Sequence, residues 1–227
     1  MTLLDKAEKS ASHPNAKMMI SRMKERYTEF SNQMARLVVN KIDELGHDGN
    51  TFGSVQWEKP QVMSDFKITT RIGEVKDSPY KTEIEAAHES KNLYIRIAAY
   101  DDKVSQINSL PKDESKERWP KGDHMEIWFK QGNRHYTFAF DSNGNKYDAK
   151  EYDYTWNSDW KVITQKGSDR WEAILIIPLK SIGLKAGQKS NIEWSASREI
   201  NHGQTKSVNI SYQGEVLYKK YFPLVLD

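Results

Sequence analysis

The sequence predicts a mainly β fold, an antiparallel β-sandwich of jelly-roll type preceded by a long N-terminal helix. Three observations carry that reading. Short runs from Val55 onward alternate apolar and polar residues, turn residues separate those runs, and apolar positions within residues 3–45 recur every three or four residues. The 227 residues suffice for one all-β domain with an appendage, and a chain of that size buries a core without disulfides or metal.

The helix is read from Met19, Met23, Tyr27, Phe30, Met34, Leu37/Val38 and Ile42, an apolar stripe interleaved with Lys, Arg, Glu and Asn, after a short segment ending near Ser12-His13-Pro14. Gly46 supplies its stop. A lone helix over residues 15–45 has nothing to bury that stripe against. The stripe therefore packs on the β domain, on a second copy or on a neighbouring domain, and the last is favoured. Residues 1–48 are accordingly read as a helical segment, the tail of a preceding domain, and 49–227 as the sandwich, joined by the linker His47–Ser54.

Strands are expected near 55–58, 65–72, 80–87, 92–100, 124–131, 135–141, 146–151, 160–166, 170–178, 191–199, 206–213 and 218–225. The stretch Lys103–Lys121 has no regular pattern, and long loops in compact domains tend to bind. It delivers Trp119 to a hairpin in which Met125, Ile127 and Phe129 fall on one face and Glu126, Trp128 and Lys130 on the other. One face should be buried and the other wet, which leaves Trp128 beside Glu126 on the wet side. Trp57, Trp171 and Trp194 sit in apolar contexts and read as core.

Composition excludes several function classes. Lys+Arg 34 against Asp+Glu 32 gives a net charge of +2, too small an excess for a nucleic-acid partner. No apolar run approaches the roughly 18 residues of a membrane span, and Met1–Lys9 lacks the apolar core of a signal peptide. With no cysteine there is no thiol chemistry, and the compartment stays open. Seven Trp and 11 Tyr in a chain of mean hydropathy -0.82 point to an aromatic binding surface. Catalysis is not expected. Asp123 and Glu126 lie three apart on one strand edge and face opposite ways, whereas glycoside hydrolysis needs two carboxylates about 5 Å or more apart across a cleft. The six histidines show no metal spacing, and no nucleophile elbow or phosphate loop is present.

Several stretches resemble the family 9 carbohydrate-binding modules. They are Trp57 with Ser64-Asp65-Phe66, Lys81–His88, Asn92-Leu93-Tyr94-Ile95, Trp119 with Gly122–Ile127, and Trp171–Leu179. The resemblance covers residues from about 55 to the C-terminus. It implies a sandwich that binds oligo- or polysaccharide without cleaving it, as an accessory domain of a glycoside hydrolase in polysaccharide degradation. The whole protein would then be secreted or periplasmic. In such modules a sugar lies between two Trp rings with a carboxylate nearby, and Trp119 and Glu126 take those places. Ala139 stands where an Arg is usual, and no Trp near the C-terminus supplies the second ring. Tyr212 or Tyr218 is its replacement, or the slot is a different one built on Trp128 or Trp156. Arg96, Ser197, Arg198 and Glu199 are further candidates because their strands should neighbour the hairpin. No cofactor is expected, except that the resemblance raises structural calcium, for which no ligands map onto this chain. A pyranose has an apolar C–H face and a hydroxylated edge, so a flat ring with a few polar groups reads both. The rival reading is a protein-interaction or scaffold sandwich of a larger exported protein, its aromatic surface and helix docking a partner.

Overall fold

In the computed structural model of the chain, the described residues are 3–21, 37–42, 60–69, 75–110, 119–185, 192–204, 207–214 and 221–226. The chain forms two compact units, Met1–Ala35 and Arg36–Asp227. In the first, helix α1 spans Leu3–Ser10 and residues 14–21 are helical again. Pro14 starts the second helix where its missing N–H costs nothing, and Nδ1 of His13 accepts the amide of Asn15 at 3.2 Å. Met19, assigned to the packing stripe, is 63% exposed.

The expected continuous helix over 15–45 is not what the chain adopts. Leu37–Lys41 is a strand, β1, with Leu37 and Val39 buried. A Leu-Val-Val run suits a pleated surface better than a helix turn, because β-branched side chains lose rotamer freedom in helices. The boundary between compact units accordingly falls after Ala35, not after residue 48. Met23, Tyr27, Phe30, Met34, the Gly46 stop, the linker and the strand expected at 55–58 with Trp57 lie outside the described residues.

The remaining strands follow the alternation closely. They are β2 (Phe66–Thr69), β3 (Val75–Asp77), β4 (Thr82–His88), β5 (Asn92–Tyr100), β6 (His124–Gln131), β7 (Arg134–Asp141), β8 (Lys146–Lys150), β9 (Lys161–Lys166), β10 (Arg170–Pro178), β11 (Ile192–Ile200), β12 (Val208–Tyr212) and β13 (Phe222–Leu226). Only β3, three exposed residues on an edge, has no counterpart among the expected strands. One layer runs β3-β2-β12-β11-β6-β7-β8, and the other runs β4-β5-β10-β9. Every pairing among these strands is antiparallel. β11 also receives β13 along its first half. β1 joins the layers, running parallel to β13 through Leu37–Val39 and parallel to β4 through Asn40 and Lys41. Its two halves thus belong to different sheets, as at the corner of a sandwich.

The core lies between the layers. Met125, Ile127, Phe129, Phe138 and Phe140 from β6 and β7 face Ile95, Ile97, Trp171 and Leu175 from β5 and β10, all at most 2% exposed. Phe140 meets Trp171 edge-on at 5.9 Å, and Trp194 stacks on Tyr212 at 5.2 Å. Trp171 and Trp194 are core, as read from the sequence.

Candidate functional site

The site grows from the loop ahead of β6. Gly122 has φ +88, and a Cβ there would lie 2.1 Å from the Asn108 carbonyl, so only glycine permits this approach. The turn aims Asp123 inward. Its carboxylate accepts the amides of Asn108 (2.9 Å), Asn201 (3.2 Å) and His202 (3.1 Å), which ties two loop segments, one after β5 and one after β11, to the start of β6. Trp119 sits on this fastened loop.

Alternation along β6 puts His124, Glu126 and Trp128 on the outer face. Glu126 stands between Ala139 on β7 and Ser197 on β11, and Glu199 stands opposite His124. Glu126 Oε1 accepts the indole N–H of Trp119 at 2.8 Å and faces His124 Nε2 at 3.3 Å. His124 Nδ1 donates to the Gly122 carbonyl at 2.7 Å, so a neutral ring would turn an unprotonated Nε2 toward the carboxylate. Burial opposes the imidazolium, but the bond to Glu126, the Gly122 carbonyl and the charges of Glu126 and Glu199 outweigh it. The pKa of His124 is raised above the ordinary 6.5. Glu126 therefore does something the sequence did not suggest: it anchors the Trp119 ring.

The second aromatic ring is one that sequence reasoning passed over, although it named Trp156 in the same loop. Tyr154, between β8 and β9, meets Trp119 at 5.5 Å with the planes at 80°. The dense run Tyr152-Asp153-Tyr154-Thr155-Trp156 in a polar loop was the available signal. Half-buried Trp119, half-exposed Tyr154, Glu126 and His124 form a corner of two ring faces on a polar base.

The other sequence candidates fall elsewhere. Trp128 is on the same face as Glu126 but only 4% exposed, so that face is not the wet one expected. Trp156 packs on Tyr136 and Phe138, which point to the core side of β7, away from Glu126. Arg198 pairs with Met125, on the core face, and is fully buried, because strand parity sends 197 and 199 outward and 198 inward. Arg96 belongs to the other sheet and pairs with Glu85, on β4, at 2.5 Å through Nε. It lines a groove of about 330 Å³ with Glu83, Tyr100, Arg170 and Glu172, where β4, β5 and β10 meet. Tyr212 is core, stacked on Trp194, and burial pushes its hydroxyl pKa up to about 12. Tyr218 lies outside the described residues.

Among the described residues, Asp101, Asp123 and His202 bring potential metal ligands within 4.8 Å of one another. This set does not fit calcium, which takes six to eight oxygens. Arg198 Nη2 lies 2.7 Å from Asp101 Oδ2, and His202 Nε2 is 3.0 Å from both Asp101 oxygens. Lys103 N donates to Asp101 Oδ1 at 2.8 Å, and Arg198 Nη1 donates to the Tyr100 carbonyl at 2.8 Å. Burial lowers the pKa of the guanidinium, while the charges of Asp101 and Asp123 oppose that shift. The cation of this cluster is Arg198.

No family model matches the sequence, and no curated protein matches it. Solved structures do. A protein provisionally described as carbohydrate-binding, from Bacteroides uniformis, aligns with TM-score 0.61 at 10% identity, over 86% of this chain and 100% of its own. A family 9 carbohydrate-binding module from Caldicellulosiruptor kristjanssonii, in complex with cellotriose, aligns with TM-score 0.55 at 12% identity over 85% and 94% of the two chains. The same organism's module with glucose gives 0.56 at 12% identity over 85% and 96%. The sandwich implied by the sequence resemblance is the fold of this chain.

Proposed function

We propose that the chain binds carbohydrate without cleaving it, through the corner built by Trp119, Tyr154 and Glu126. The observation that carries this reading is the indole bond from Trp119 to Glu126, which holds an aromatic face at a fixed angle beside a polar base. The fold adds weight, since solved neighbours with this sandwich include modules in complex with cellotriose and glucose. Binding rather than hydrolysis is supported by the fate of the two carboxylates. Asp123 is buried under three backbone amides, and Glu126 is engaged by Trp119 and His124, so neither faces the other across a cleft.

The same resemblance leads us to read the chain as an accessory domain that targets an exported glycoside hydrolase to poly- or oligosaccharide. A glycan array with the whole chain tests the binding function, followed by calorimetry on the sugar it selects. Trp119→Ala should weaken that sugar by about 1 to 3 kcal/mol and leave the melting temperature nearly unchanged. Unchanged affinity in the folded variant would remove Trp119 from the site, and an array without any glycan hit would remove the function.

A further inference from the structure

We propose that Tyr152 is a second sugar-stacking surface, which extends the Trp119 corner from a one-ring site to one for an oligosaccharide. This rests on the carbohydrate reading above. It starts from an unusual backbone. Lys150 and Asp153 exchange both backbone hydrogen bonds, at 3.3 and 2.9 Å, leaving Glu151 and Tyr152 as a two-residue hairpin loop. Both have positive φ, 53° and 67°. Two-residue loops of this kind favour Asn-Gly, because Gly has no Cβ to clash at positive φ and Asn tolerates that region better than other side chains, so an aromatic side chain is an uncommon occupant. Strain held at an exposed position points to a role that stability does not explain.

The arm holding Tyr152 is fixed. Glu151 N donates to the His135 carbonyl at 2.9 Å, which ties the loop to β7. The Asp153 carboxylate accepts the amide (2.9 Å) and hydroxyl (2.6 Å) of Thr155. Trp156 roots the arm against Tyr136 and Phe138, and Tyr154 braces it against Trp119. At its apex Tyr152 is 84% exposed, the highest value among the large apolar side chains of the described residues. A backbone already held before the ligand arrives leaves only the rotamers of the ring itself to be fixed on binding.

The occupant follows from the angle of the first site. Trp119 and Tyr154 cross at 80°, so they cannot clamp one pyranose between two parallel faces. Trp119 then gives a single pyranose one ring face, and further apolar contact comes from the next sugar ring along the ligand. Tyr152, on the same short arm as Tyr154, offers the next apolar face with a hydroxyl at its edge.

Calorimetry with glucose and cellotriose, or with the mono- and trisaccharide of whichever glycan the array selects, tests this on the whole chain. Tyr152→Ala should weaken the trisaccharide about tenfold and leave the monosaccharide unchanged, while Tyr152→Phe behaves as wild type. Tyr152→Gly, which suits the positive φ, should bind like Tyr152→Ala and melt no lower than wild type, so that loss of binding cannot be a folding defect. Unchanged trisaccharide binding in Tyr152→Ala, with Trp119→Ala weakened for both sugars, overturns this inference and spares the first site. An equal loss for both sugars overturns it too, since Tyr152 would then belong to the single-ring site. Wild type binding no glycan overturns the carbohydrate reading and this inference together.

Discussion

At the residue scale, one carboxylate oxygen joins the candidate site. Glu126 Oε1 receives both the Trp119 indole and His124 Nε2, so its charge orders the ring. Glu126→Gln keeps an acceptor for the indole and should cost less binding than Trp119→Ala, whereas Glu126→Ala should approach the Trp119→Ala deficit, as calorimetry will show. The His124 partner makes the arrangement sensitive to pH. Because the folded pKa of His124 is raised, its contribution is fully present below about 6.5 and is lost as pH rises through that higher value. The melting temperature should fall over that window in wild type, and His124→Asn should lack the step. Strand parity made half of these residues legible in the sequence. It placed Glu126 and Trp128 on one face correctly, and applied to β11 it would also have shown Arg198 turning inward with Ala196 and Ile200. Parity could not show that Trp128 on the outer face is only 4% exposed, since alternation says which face a residue takes and not what lies over that face.

At the element scale, the alternating strands were readable because each carries its period within its own residues, as in the β6–β7 hairpin, where the Gly132-Asn133 turn sets the register. β1 was not readable. Its Leu-Val-Val run continues the three-to-four spacing of the preceding residues, and its pairing partners, β4 and β13, come later in the chain. The consequence is a truncation test. A chain starting at Arg36 should fold and keep its melting transition, while one starting at Gly49 loses β1 and exposes the edges of both β13 and β4. The second should melt lower or fail to fold, read by circular dichroism and thermal melts. Equal stability of the two would show that β1 contributes nothing to closing the sandwich.

At the scale of the whole molecule, loops flanking β5, β6 and β11 converge on Asp101, Asp123, Arg198 and His202, a cluster that fastens the end of the sandwich bearing Trp119. The sequence resemblance raised structural calcium without mapping its ligands, and at this cluster a guanidinium stands beside the carboxylate. The difference is measurable. Chelation with EDTA should leave the melting temperature of the chain unchanged, and added calcium should not raise it, because no oxygen of Asp101 or Asp123 lacks a hydrogen-bond donor or cation. Arg198→Met should be costly. It strands Asp101 in the interior with His202 and one amide for partners, and removing one member of a buried ion pair costs about 3 to 5 kcal/mol. For a unit of this size that lowers melting by roughly 10 °C. Adding Asp101→Leu to Arg198→Met should recover part of the loss, since the uncompensated charge goes with it. A chelator-induced drop in wild type would place a cation elsewhere in the chain, while an Arg198→Met variant as stable as wild type would show that Asp101 is held without its guanidinium.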